Sequence, residues 1–143
     1  MNISEAGLDF IKEHEGCRLE AYQDSVGVWT VGVGHTGPLV VKGLVITQDE
    51  ADDLLRHDVA VAVKCVTGLV TVPLTQEEFD ALCSFTFNLG CTALRNSTLL
   101  RKLNAGEDGI ATEFLKWDHA GGKQVAGLTK RRADEAALFQ ETA

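Results

Sequence analysis

The chain has 143 residues, 45% of them hydrophobic, which suits one domain with a buried core and argues against a disordered or fibrous chain. Its formal net charge of −8 excludes a surface built to neutralise nucleic-acid phosphates, because that task needs a basic face. No apolar run is long enough to span a bilayer, so no stable membrane insertion is expected.

The first fifteen residues, MNISEAGLDFIKEHE, mix Glu, Asp and Lys and lack the charged-then-apolar layout of a secretory signal. The expected location is therefore a cytosol, until something else lets the chain out. Ser4 is a candidate N-cap, and Ile3, Gly7, Phe10, Ile11 and His14 follow helical spacing, so residues 4–14 read as a helix with Gly16 as its stop. Glu15 then sits at the helix C-terminus, where the dipole disfavours a negative charge and favours a carboxyl that keeps its proton. That suits a general acid, whereas an isolated helix-end glutamate is ordinarily just solvated.

Residues 19–36 read as a small antiparallel β-unit with a turn near Asp24 to Gly27. On its second strand Trp29, Val31 and Val33 alternate with Thr30, Gly32 and Gly34. Period two predicts a large face packed inward and an open Thr-Gly-Gly face, with Thr30 pointing into a cleft. Two carboxylates, Glu15 and Asp24, and a hydroxyl on such a wall suit chemistry on a polar, bulky substrate such as a sugar chain.

Thr47-Gln48-Asp49-Glu50 is a capping box opening a helix over about 48–67, and Thr75-Gln76-Glu77-Glu78 is a second one opening a helix that lasts to Gly90. Asn96-Ser97 caps a further helix through Leu103. A short helix is expected over 108–118, AGGKQVAG is expected to be a loop, and Thr129 is expected to open a last helix to about Gln140. The basic run Lys130, Arg131 and Arg132 reads as a solvated helix start. The order of elements gives an α+β fold: a β-containing lobe and a helical lobe joined by the long helix.

Four cysteines, Cys17, Cys65, Cys83 and Cys91, form no C-x-x-C pair, so no zinc or other metal site is expected and no cofactor is called for. Reduced thiols are the cytosolic default, and the three possible pairings stay open. A Cys17 nucleophile, flanked in sequence by His14 and His35, is the weaker alternative to carboxylate chemistry.

The ordered set Glu15, Asp24, Thr30, with Tyr22 two before the aspartate and Gly32, Gly34 and His35 behind the threonine, resembles the active-site pattern of the phage-type lysozymes, glycoside hydrolase family 24. Three later stretches are also similar: ITQDEADDLLRHDV, ALCSFTFNLG with NSTLLRKLN, and WDHAGGK followed by GLTKRRADEAALF. The likeness spans nearly the whole chain. It implies a single lysozyme-like domain over 1–143, with a β-containing lobe over roughly 15–60 and a helical lobe formed by 1–14 and 70–143.

The resemblance implies hydrolysis of the bond between N-acetylmuramic acid and N-acetylglucosamine in peptidoglycan, by a monomer. Glu15 would be the general acid, Asp24 would stabilise positive charge or activate water, and Thr30 would hold that water. It further implies that Tyr22, Gly32, Phe87, Asn88 and Ser97 meet the sugar chain, that His35 pairs with Asp58, and that Arg131 or Arg132 reaches Glu15. Release through a lesion made by a separate phage pore protein is also implied. Two alternatives remain: a lytic transglycosylase, and a module that binds peptidoglycan without cleaving it.

Overall fold

The structure, a computed structural model, describes residues 1–141. Its elements run α1 (Glu5–Glu15), β1 (Arg18–Gln23), β2 (Trp29–Gly32), α2 (Gln48–Leu69), α3 (Gln76–Leu89), α4 (Cys91–Arg95), α5 (Thr98–Asn104), α6 (Ile110–Phe114), β3 (His119–Ala120), β4 (Lys123–Gln124) and α7 (Ala126–Gln140). The chain forms two compact units: Leu8–Ala60, and Met1–Gly7 with the chain from Val61 onward. Both boundaries fall inside helices, α1 and α2. The class is α+β, as the sequence implies, but residues 8–14, expected with the helical part, fall in the unit that holds β1 and β2.

Helix starts follow the capping signals. The Ser4 hydroxyl accepts the Gly7 N–H at 3.0 Å. Thr47 and Glu50 exchange hydrogen bonds of 3.0 and 3.1 Å, and Thr75 and Glu78 do the same at 2.7 and 3.1 Å. Each box satisfies two N–H groups that the first helical turn leaves without partners.

In the Leu8–Ala60 unit, β1 and β2 pair antiparallel with Tyr22 opposite Thr30 and Gln23 opposite Trp29. The small core there joins Ala21, Val31, Val40, Ile46 and Ala51, with Trp29, Leu44 and Leu54 packed against it. Gly32 has φ +64°, and a Cβ on it would lie 3.5 Å from Ala51 Cβ and Ile46 Cδ1. The expected open Thr-Gly-Gly face is therefore closed at two of its three positions. Thr30 is 5% exposed, Gly32 is packed on α2 and a loop, and only Gly34 lies exposed. The positive φ turns the chain after Val31, so the strand ends before a two-sided pattern can develop.

The other unit holds the larger core. Phe79, Leu82, Phe85, Leu94, Leu99 and Phe114 are buried completely or nearly so. Phe85 meets Phe114 and Trp117 edge to face, with ring centroids 5.4 and 5.6 Å apart, an arrangement that suits the ring quadrupoles. Four local features differ from expectation. The helix expected over 108–118 spans only Ile110–Phe114. Residues 91–95 add the short helix α4. The AGGKQVAG segment contains the hairpin β3–β4, whose Asp118 base accepts from Gln124 Nε2 at 2.8 Å and Thr129 Oγ1 at 3.0 Å. Helix α7 begins at Ala126, ahead of Thr129. The Gln124 hydrogen bond to Asp118, ahead of the opposing effect of burial, holds the Asp118 carboxyl below its ordinary range.

The expectation of four reduced thiols also changes. Cys65 and Cys91 form a disulfide with Cα atoms 5.8 Å apart, within the range such a bridge requires, while Cys17 is free and exposed and Cys83 is free and buried. Burial pushes the Cys83 thiol up to about 12, which leaves it unreactive. The bridge closes a loop of 26 residues. Loop-closure entropy gives it roughly 3–4 kcal/mol of stabilisation. Reduction, or Cys65→Ser with Cys91→Ser, is expected to lower the melting temperature by on the order of 10 °C in a calorimetric scan. An unchanged melting temperature would show that the bridge does not form in solution.

Candidate active site

Glu15 is the last residue of α1 and is half-buried. The helix stops there because Gly16 adopts φ +77° while its N–H still closes on the Lys12 carbonyl at 2.8 Å. Gly34 lies beside the carboxyl group. A Cβ at Gly34 would stand 3.7 Å from Glu15 Oε2, and φ +71° there favours glycine. The glycine thus leaves the flank of the Glu15 carboxyl clear of side chain.

Asp24 opens the turn between β1 and β2 and is exposed. One oxygen, Oδ1, accepts the N–H groups of Val26 at 2.9 Å and Val28 at 2.8 Å. This is the turn role the residue type predicts. The same carboxylate leaves its other oxygen, Oδ2, with no hydrogen bond among the described residues.

Thr30 is buried and donates its hydroxyl to the Val28 carbonyl at 3.0 Å. Its proton is committed to the turn, so the oxygen offers only lone pairs. Tyr22 stands opposite Thr30 across the hairpin, with the Arg18 guanidinium 4.3 Å above its ring. Past the strand, His35 Nδ1 meets Asp58 Oδ2 of α2 at 2.7 Å, as the resemblance implies. That pair ties the segment after β2 to the helix. All these residues belong to the Leu8–Ala60 unit.

The expected residues of the helical unit separate into two groups. Ser97, expected to meet sugar, is 6% exposed and spends its hydroxyl locally: it donates to the Leu94 carbonyl at 2.7 Å and accepts the Leu100 N–H at 3.0 Å. It caps α5, which takes its hydroxyl out of reach of a ligand. Gly32 is likewise used for packing. Phe87 and Asn88, near the C-terminus of α3, are half-buried and accessible in part.

Arg131 and Arg132 are not a solvated helix start. They are 4% and 0% exposed, whereas Lys130 beside them is exposed. Both face Glu135, itself fully buried one turn along α7. Arg131 Nε donates to Glu135 Oε2 at 3.2 Å, and Arg132 Nε lies 3.3 Å from Oε1, at ion-pair distance but out of line for a hydrogen bond. The Ser84 hydroxyl donates to Glu135 Oε2 at 2.5 Å, and Arg131 Nη2 donates to the Ser84 carbonyl at 3.2 Å. Arg132 Nη2 donates to Asn88 Oδ1, and its guanidinium lies 5.3 Å from the centre of the Phe85 ring. Burial pushes the Glu135 carboxyl up, and Arg132, Ser84 and Arg131 pull it back. Ser84 and Glu135 are the residues the sequence did not announce. Their signal, a small polar residue and a glutamate on otherwise apolar helix faces, becomes visible only when α3 and α7 are packed.

Among the described residues no group of His, Cys, Asp and Glu is arranged to hold a metal ion, and no helix is long and apolar enough to cross a membrane.

Comparison with known proteins adds an independent view. Residues 12–135 match the family described as Phage lysozyme. The chain is 50% identical to an endolysin of Acyrthosiphon pisum secondary endosymbiont phage 1, over 98% of the chain and 99% of that protein. It is 48% identical to an endolysin of Bacillus phage B103 over 97% of the chain, but spans only 54% of that longer protein. A crystal structure of a P22 lysozyme mutant superposes with a TM-score of 0.92 at 42% identity, covering 99% of both chains.

Proposed function

The chain belongs to the phage lysozyme family, and from that premise we propose that it hydrolyses the β-1,4 bond between N-acetylmuramic acid and N-acetylglucosamine in peptidoglycan, as a phage or prophage endolysin. The observation that carries this reading is the division of labour within Asp24. Oδ1 holds the hairpin turn while Oδ2 stays open on an exposed loop, in the same unit as the Glu15 carboxyl and its glycine flank.

The mechanism follows from the groups. Glu15 gives its proton to the leaving glycosidic oxygen. Positive charge then grows on the sugar ring, and the Asp24 carboxylate stabilises it or takes a proton from the attacking water. Thr30, with its own proton held by Val28, accepts a hydrogen bond from that water and so fixes where its lone pair points. A residue devoted to water favours hydrolysis over transglycosylation, in which a hydroxyl of the sugar itself attacks.

The reading extends to a monomer that is made in the bacterial cytoplasm and reaches the wall through a lesion opened by a separate phage pore protein. Purified peptidoglycan digested by the chain is expected to yield soluble fragments with reducing muramic ends, read by mass spectrometry. Anhydro ends would assign a transglycosylase. Sedimentation with peptidoglycan and no soluble fragments would assign a binding module. Intact cells should resist added protein and clear once the envelope is permeabilised.

A further inference from the structure

Arg18 opens β1 and is exposed, and its guanidinium lies 4.3 Å from the centre of the half-buried Tyr22 ring. In a regular strand, residues four positions apart stand about 13 Å from each other along the backbone. The strand departs from that regularity between these two. Arg18 pairs with Gly32 and Tyr22 with Thr30, so Leu19, Glu20 and Ala21 stand against Val31 alone. The surplus residues bulge and bend the strand, and the bend re-aims Arg18 along it onto the ring. The ring covers one face of the guanidinium and fixes its plane. Its edge donors stay open: among the described residues no carboxylate pairs with Arg18, in a chain that carries 21 of them. Arg18 belongs to the same unit as Glu15 and stands six positions before Asp24, on the strand that leads to it.

We propose that Arg18 is a specificity-determining residue that binds a carboxylate of the peptidoglycan stem peptide, with Tyr22 as the platform that orients it. The inference rests on the hydrolase reading above and deepens it by naming the part of the substrate that this cation recognises. The N-acetylated sugars of the glycan strand are neutral, and the lactyl carboxyl of muramic acid is spent on an amide to the peptide. Free carboxylates therefore lie on the stem peptides. A guanidinium of fixed plane meets such a group with two parallel N–H···O bonds, and the pre-set plane lowers the cost of ordering it. The chain's net charge of −8 repels an anionic wall, and an unpaired cation beside Tyr22 offsets that repulsion where the peptide-bearing strand docks.

Three soluble ligands test this: peptidoglycan fragments with stem peptides, the same fragments with every carboxyl capped as a methylamide, and N-acetylglucosamine oligomers, which carry no carboxyl. Kd is measured by calorimetry in a Glu15→Gln background, so that no bond is cut during the titration. At low ionic strength the protein with Arg18 is expected to bind uncapped fragments about fivefold more tightly than capped ones, the worth of one well-oriented exposed ion pair. That preference should shrink as salt is raised. Arg18→Gln keeps the length of the side chain and removes its charge. It should bind uncapped fragments about fivefold more weakly and match the Arg18 protein on the other two ligands. On intact peptidoglycan, Arg18→Gln with Glu15 in place should raise KM by a similar factor and keep kcat within about twofold. Equal affinity of the Arg18 protein for capped and uncapped fragments would overturn the proposal, and that comparison needs no substitution at position 18. An equal loss by Arg18→Gln on all three ligands would also overturn it, because the residue would then only support the Tyr22 ring. Failure of the wild type to release reducing ends would instead sink the hydrolase reading, and the titrations, which need no turnover, would still decide the role of Arg18.

Discussion

Glu15→Gln is expected to lower the release of soluble peptidoglycan fragments by about 10²–10⁴-fold, the contribution of a positioned general acid. The substitution is nearly isosteric and sits at the end of α1 beside Gly34, where there is room for an amide. The fold should therefore survive, with an unchanged melting temperature and far-UV spectrum. Full activity in this variant would remove Glu15 from the chemistry. Asp24→Asn makes the companion test. An asparagine oxygen can still accept the Val26 and Val28 N–H groups, so the β1–β2 turn should persist. What disappears is the negative charge. Loss of activity with an intact hairpin would separate the catalytic use of this side chain from its structural use. Asp24→Ala would confound the two, because it also deletes the turn's acceptor.

The largest stability effect is expected at Glu135. Its carboxylate is buried and faces both Arg131 and Arg132, with Ser84 donating to it as well. Glu135→Leu strips that carboxylate from two buried guanidiniums and from the Ser84 hydroxyl. Breaking a buried ionic arrangement from one side typically costs about 3–5 kcal/mol. Urea unfolding should show a loss of that size, and a change under about 1 kcal/mol would mean that the arginines do not depend on Glu135. Replacing the whole set with apolar residues of similar volume should cost far less, since no charge would remain buried. Comparing the two variants separates the penalty of a broken arrangement from the net worth of the intact one.

Much of the fold was legible because its signals are local. The capping boxes at Thr47 and Thr75 are read from four consecutive residues, and both form. The turn at Asp24 depends on a side chain and the two N–H groups just after it, again a local matter. The periodicity argument failed where a non-local contact intervened. Gly32 was read as an opening for a ligand, but its missing side chain admits Ala51 and Ile46. The same property, a backbone that can be approached closely, serves either a ligand or a neighbouring helix, and sequence alone does not tell them apart. Ser97 shows the reverse error: a cap signal was read correctly, and a contact with substrate was expected of the same hydroxyl, which the cap consumes.

Capping, turn chemistry and hydrophobic spacing, each acting within a dozen residues, made the longer helices, most of their starts, the β1–β2 hairpin and the α+β class legible in the sequence. The ordered set Glu15, Asp24 and Thr30 was also visible there, as a resemblance. Only the tertiary structure decided that Cys65 pairs with Cys91, that two of three residues in the run 130–132 are buried, and that Glu135 and Ser84 hold them. The disulfide and the Ser84–Glu135 bond join positions 26 and 51 residues apart. The bridge needs α2 and α4 brought together, and the arginines' burial and charge compensation exist only once α3 and α7 have packed.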